Sequence, residues 1–220
     1  MSMGVKTFKF KIFAIFLIPA ISIVYFTFFY VNFSDSNFEA LENQKHNIEL
    51  VKKLIDVVHA LQAERSISVK FLSSNSLKNL QDKIQSNYKR TDRTIENLKA
   101  FQYNVGFQSL QLQTLRQKIL DKKISFEEAL ETYSKVNEHI INNIKFLLPK
   151  LNKQYDSLFL INLELLKESA SLENGCIYHT LIAQNLTASF KEKIFYYQIE
   201  QLKKQQNLVL YSNKNSLASY

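Results

Sequence analysis

Arg65 is the residue whose type and position most invite chemistry. It sits in His59-Ala-Leu-Gln-Ala-Glu-Arg-Ser-Ile-Ser-Val-Lys-Phe-Leu-Ser-Ser74, where helical periodicity asks for an apolar side chain. Val51, Val58, Arg65 and Leu72 recur every seventh residue and drift only about 20° per step, so they share one helix face. A guanidinium on that face meets a core. It cannot shed its charge, so it needs a carboxylate, a set of carbonyls or a bound anion to offset desolvation. Two readings of Arg65 stay open from the residues: an internal ion pair, with Glu168 or Glu173 as partner if the first and fifth helices pack together, or a contact to a flat, delocalised oxyanion that matches the guanidinium fork. Glu64 points about 100° away from Arg65 and reads as solvated or paired elsewhere. Lys70 reads as a surface lysine, His59 as a helix-face histidine, and Cys176 as a buried structural thiol.

Other chemistry is scarce. One cysteine excludes an intrachain disulfide framework, and the four histidines, His46, His59, His139 and His179, form no metal-ligand spacing, so no metal and no cofactor are expected. Gly4, Gly106 and Gly175 are isolated, which excludes a phosphate-cradling loop or dinucleotide fingerprint. With no nucleophile elbow and no paired carboxylates beside a base, the chain does not read as an enzyme.

The elements that must position Arg65 are long helices. Three Gly and two Pro in 220 residues argue for an all-α chain. From Ile12 to Val31 there are twenty uncharged residues, IFAIFLIPAISIVYFTFFYV; at about 1.5 Å per residue they match a bilayer core of roughly 30 Å. A transmembrane helix is expected over 12–33, and Pro19 is tolerable inside it. Lys6, Lys9 and Lys11 precede it, and Asp35 and Glu39 follow it. The positive-inside rule then leaves residues 1–11 in the cytoplasm and exports 34–220, giving a single-pass protein of the inner membrane with its main domain periplasmic. A cleaved signal peptide fits less well, because the apolar run exceeds the usual 7–15 residues and no small-x-small site follows. The charge of +8 includes those three lysines; the rest is scattered, which argues against nucleic acid as a partner.

After the span, Ser36-Asn37-Phe38-Glu39 has capping-box spacing, so a new helix of about 38 residues is expected to run to Leu72, ended by Ser73-Ser74-Asn75-Ser76. A second, from about Leu77 to Tyr103, carries Leu80, Ile84, Tyr88, Thr91, Ile95, Leu98 and Phe101 on one stripe, and Gly106 closes the connection. A short third helix with Leu110, Leu112, Leu115 and Ile119 stops at Asp121-Lys122-Lys123. Ser125-Phe126-Glu127-Glu128 caps a fourth, with Leu130, Tyr133, Ile140, Ile144 and Leu147 inward, and Pro149 kinks or ends it. A fifth is expected from about Gln154 to Phe190, with Leu158, Leu163, Leu166, Ala170, Ile177 and Leu181 as its stripe, and a sixth from about Lys191 to Ser212, with Ile194, Tyr197, Leu202 and Leu208. Short connections imply an up-and-down helical bundle, one or two four-helix-type bundles sharing long helices.

Several stretches, in order, resemble the nitrate- and nitrite-sensing (NIT) domain family of bacterial membrane receptors. They are Leu61-Gln62-Ala63-Glu64-Arg65-Ser66-Ile67-Ser68 with Phe71-Leu72; Thr91-Asp92 with Leu98; Leu115-Arg116 followed by Ser125 to Glu128 and Tyr133; and Lys167-Glu168-Ser169-Ala170-Ser171-Leu172-Glu173-Asn174. The resemblance spans roughly Leu54 to Tyr211. It implies an extracytoplasmic sensor domain that binds nitrate or nitrite and signals across the membrane, with Arg65 as the principal anion contact and Ser68 and Asn174 as neutral donors. Asn174 stands where the family has a second Arg, and Ser66 and Ser171 replace glycines. A homodimer follows by the same analogy. Either a receptor truncated before its second span or a module with a separate signalling partner fits the end at Tyr220. A membrane-tethered structural or interaction bundle without a small ligand is the reading from another class.

Overall fold

The computed structural model describes the backbone of residues 3–74, 78–99, 101, 109–148, 154–184 and 186–217. All the described elements are α-helices: α1 Met3–Ser73, α2 Lys78–Lys99, α3 Ser109–Leu120, α4 Phe126–Leu147, α5 Gln154–Ala183 and α6 Ala188–Leu217. The chain divides into two compact units, Met1–His46 and Asn47–Tyr220.

In the first unit, the expected break at Ser36 does not occur. A capping residue must leave helical φ/ψ, but the backbone is helical through residues 34–37, and no Gly or Pro lies nearby to interrupt it. Pro19 lies inside α1. The expected membrane span begins on residues whose side chains lie outside the description, up to 16 and again at 18 and 20. Among the described residues no helix is long and apolar enough to cross a membrane.

The second unit is a bundle whose main core is built from α1, α2, α3 and α4. Leu54, Val57, Val58 and Leu61 of α1 pack with Ile84, Tyr88 and Leu98 of α2, with Leu112, Leu115 and Ile119 of α3 and with Tyr133, Ile140, Ile141 and Ile144 of α4. The α2 and α4 stripes expected from periodicity are the buried ones: spacings of three and four keep them on one face while the polar residues between them turn outward. A smaller core joins Val69 of α1 to Phe126 and Leu130 of α4, Leu172 and Cys176 of α5 and Phe190 of α6.

Local chemistry sets the ends that frame this core. Ser125 is the N-cap of α4, accepting from the Glu128 N–H at 3.1 Å. The C-terminus of α3 closes with Lys122 N–H on Ile119 O (3.0 Å) and Lys123 N–H on Lys118 O (2.8 Å), a Schellman pair. Lys122 supplies the left-handed residue this needs, at φ 53°. The connections at Gly106 and Pro149 lie outside the described residues. The α5–α6 boundary falls earlier than expected: Gln184 takes φ 50° and the Thr187 hydroxyl accepts from the Phe190 N–H at 3.3 Å, starting α6 at Ala188.

The stripe expected for α5 is not its buried face. Ile177 and Leu181 are exposed, and the buried positions are Asn162 and then Glu164, Glu168, Leu172 and Cys176, these last four recurring every fourth residue. Two of these are carboxylates, because the surface they meet on α1 carries a histidine and an arginine. On α6, Ile194 and Tyr197 pack inward, whereas Leu202 is exposed.

Candidate functional site

Glu64 and Arg65 are adjacent in α1 and both fully buried, at 0% and 1% exposure. Consecutive helical residues point about 100° apart, and here each direction meets a different set of helices.

Glu64 faces α2, α3 and α4. Arg116 of α3 grips it bidentately, Nε to Oε1 and Nη2 to Oε2, both at 2.8 Å. The Tyr133 hydroxyl of α4 donates to Oε1 at 2.8 Å. Arg116 Nη1 reaches Asp92 of α2 at 2.7 Å, and its guanidinium carbon lies 4.6 Å from the Tyr88 ring centroid. Burial alone would lower the Arg116 pKa, but the hydrogen bonds and charges of Glu64 and Asp92 outweigh it and the net shift is upward. Burial pushes the Tyr88 phenol up to about 12. It also raises the Tyr133 phenol well above its usual value, with the Glu64 charge adding to the effect. Ser68 belongs to this side of α1, with its hydroxyl 3.3 Å from that of Tyr133. The Tyr88 hydroxyl is buried there, near the hydroxyls of Ser68 and Tyr133, with no well-aligned hydrogen bond among the described residues.

Arg65 faces α4 and α5. Its Nη1 and Nη2 hold the two oxygens of Glu168, the second at 3.1 Å. Nη1 donates to Ser134 at 3.2 Å and Nη2 to Ser171 at 2.9 Å. Two amides complete the set around the carboxylate, Gln62 at 2.8 Å and Asn137 at 3.2 Å, both on Glu168 Oε2. The Asn137 carbonyl oxygen is buried without a hydrogen-bond partner among the described residues.

Further polar links continue along α1. His59 Nε2 is 3.0 Å from Glu164, which also takes Lys167 at 2.8 Å. Nearer the end of α1, His179 stacks on Phe126 (centroids 4.0 Å apart) and lies 5.2 Å from Phe190, while its Nδ1 is hydrogen-bonded to Ser73 at 2.9 Å. Burial lowers the His179 pKa, partly countered by Glu127. Burial likewise pushes the Cys176 thiol up to about 11, which suits an inert core thiol.

Of the residues that sequence reasoning put around an anion, Arg65 is buried and multiply bonded, but the three do not converge. Ser68 lies on the Glu64 side, and Asn174 is exposed on α5. Of the two carboxylates expected to compete for Arg65, Glu168 holds it. Glu173 is bonded to Gln198 and Gln201 of α6. Sequence reasoning missed Arg116, Gln62, Asn137 and Glu164. Arg116 was findable, because Leu112, Arg116 and Ile119 repeat the helical spacing that singled out Arg65. Asn137 likewise stands between Tyr133 and Ile140 on the inward face of α4.

The four stretches that carry the resemblance therefore meet at one level of the bundle: Glu64 and Arg65, Thr91 and Asp92, Arg116 with Tyr133, and Glu168 with Ser171. This arrangement binds and holds charge. Among the described residues no group of three His, Cys, Asp or Glu is placed to hold a metal ion. An apolar surface cleft of about 400 Å³ lies between Leu112, Leu115, Ile124 and Val136, and another of about 260 Å³ opens against Asp92 and Arg116 of this group, beside Glu96 and Lys99. Neither is lined by Arg65.

A family described as nitrate and nitrite sensing matches residues 56–220. No curated protein sequence matches. A solved structure titled as that of the NasR transcription antiterminator superposes with a TM-score of 0.70 at 17% identity, over 79% of this chain. The chain corresponds to about half of that structure's chain, 52%, and at this identity the likeness shows the fold alone.

Proposed function

Since the chain belongs to the family of nitrate- and nitrite-sensing domains, we propose that it is a sensory module binding nitrate or nitrite at Arg65 and passing the occupancy on through α1. One observation carries the reading. Arg65 is a fully buried cation whose fork already holds a planar, singly charged, two-oxygen group, with hydroxyls and amides at its edges. That is the recognition chemistry of a small planar oxyanion. A buried ion pair is weak support for stability, since well-packed apolar residues do as well or better. A ligand-binding role accounts for its presence.

We further read the module as anchored in a membrane through residues 12–33, with 1–11 inside and 34–220 outside the cytoplasm. The uncharged run and its lysine flank support this, as does the exposure of Ile21, Ile23, Val24, Phe26, Phe28 and Phe29. α1 carries both this run and Arg65, so a change at Arg65 has a direct route along one helix.

The test is thermal unfolding of the full chain with nitrate, nitrite or chloride, with Arg65→Ala alongside. A ligand at about a hundred times its Kd adds roughly 2.7 kcal/mol of stability. Nitrate or nitrite is expected to give this shift and chloride is not; Arg65→Ala should abolish it. Absence of any shift at millimolar oxyanion removes the reading. An interaction bundle without a ligand is then favoured, on the exposed Phe195, Leu202 and Val209 of α6, which recur every seventh residue as in a helix-pairing seam.

A further inference from the structure

The donors around Glu168 fill the acceptor capacity of a carboxylate, about four sites on two oxygens, and come from two other helices. Arg65 gives two bonds, and Gln62 and Asn137 give one each, from α1 and α4 onto one side chain of α5. A carboxylate presents two oxygens in a plane with one delocalised charge, and so do nitrite and one edge of nitrate. Resting on the sensing reading above, we propose that Glu168 is an internal stand-in for the ligand: the anion binds by displacing the Glu168 carboxylate from Arg65, and Gln62 and Asn137 transfer their hydrogen bonds from Glu168 to the anion.

Two observations separate this pair from the neighbouring one. The Glu168 side chain keeps 12% exposure, whereas that of Glu64 has none. Released toward water, Glu168 stays hydrated; a released Glu64 would be stranded as a buried charge. Arg116 is also held by a second carboxylate, Asp92, whereas Glu168 is the carboxylate on Arg65. In addition, among the described residues the Asn137 carbonyl has no partner while its amide serves Glu168, so an anion there could meet Asn137 in a rearranged set of bonds. Exchange would cut the Glu168 bonds that tie α5 to α1 and α4 at this level, leaving Arg65 on Ser171 as the α1–α5 bond, which makes Glu168 the element that converts occupancy into helix movement.

Titration calorimetry of the full chain with sodium nitrate, sodium formate and sodium chloride tests the exchange. Glu168→Gln is expected to bind nitrate at least tenfold more tightly than the unaltered chain, with formate following nitrate and chloride not. Asn137→Ala added to Glu168→Gln is expected to return the affinity toward the unaltered value. Nitrate binding by the unaltered chain with no gain in Glu168→Gln keeps the sensing reading and overturns the exchange. A gain in Glu168→Gln over an unresponsive unaltered chain upholds the exchange site and overturns nitrate as the signal. Binding by neither overturns both. If Glu168→Gln lacks a cooperative unfolding transition in plain buffer, recovery of that transition by nitrate or formate supports the exchange, and recovery by no anion overturns it.

Discussion

Glu64 and Arg65 are neighbours of opposite charge that are both buried, and neither pairs with the other. Helix geometry forbids it, since consecutive side chains diverge by about 100°. Each therefore draws its counter-ion from a different helix, Arg116 from α3 and Glu168 from α5. Arg116→Met leaves Glu64 uncompensated at 0% exposure and is expected to cost about 3–5 kcal/mol in urea unfolding. Adding Glu64→Gln should recover more than half of that; a strictly additive double mutant would show that the two do not act as a pair. Tyr88→Phe removes a buried hydroxyl with no well-aligned hydrogen bond among the described residues, and is expected to change the urea unfolding free energy by no more than about 1 kcal/mol; a larger loss would mean that the nearby Ser68 and Tyr133 hydroxyls hold it. Arg65 was legible at this scale because it breaks an apolar register. Its partner was not: the choice between Glu168 and Glu173 turns on which face of α5 is inward.

At the scale of elements, capping chemistry was read correctly where the signal was local. Ser125 caps α4 through the Glu128 N–H, within one turn of sequence. The spacing at Ser36 carries the same pattern and caps nothing, because a motif permits a helix start without imposing one on a chain that has no breaker. Lys122 holds a left-handed conformation that glycine adopts without strain. It is nonetheless in use, with its ammonium on Ser74 O at 3.2 Å and 5.4 Å from the Phe71 ring centroid. Lys122→Gly is expected to raise the unfolding midpoint by the equivalent of up to about 1 kcal/mol, net of those contacts; a loss would mean that they outweigh the strain. The α5 stripe was misread for a physical reason. Periodicity counts apolar residues, while the inward face of α5 is marked by carboxylates that suit buried cations.

For the molecule as a whole, the His179 cluster ties the end of α1 to α4, α5 and α6. Burial lowers its pKa in the folded state, so the unfolded chain takes up the proton first. That contribution is fully present above the unfolded value near 6.5 and is lost as pH falls through the lowered folded value. Urea midpoints measured at pH 7.5 and pH 5 are expected to drop for the unaltered chain, and to drop less for His179→Gln. An equal drop in both would mean that His179 does not carry it. The class of helical bundle was legible from few breakers, two clear stripes and one strong cap. The ordered motifs pointed to the family that the match over residues 56–220 shows.

The sequence by itself determined the all-helical class, the inward faces of α2 and α4, the family and the anomaly at Arg65. These follow from periodicity and spacing, which act within one helix. Only the tertiary structure decided that Glu168 holds Arg65, that Arg116 answers Glu64, that Gln62 and Asn137 attend the carboxylate, and that Asn174 and Ser68 lie elsewhere. A buried charge must be neutralised by whatever stands nearest in space. The positions involved are more than fifty residues apart along the chain for Glu64 and Arg116, and more than a hundred for Arg65 and Glu168. Nothing local distinguishes one carboxylate from the next until the packing of α5 against α1 turns Glu168 inward and Glu173 toward α6.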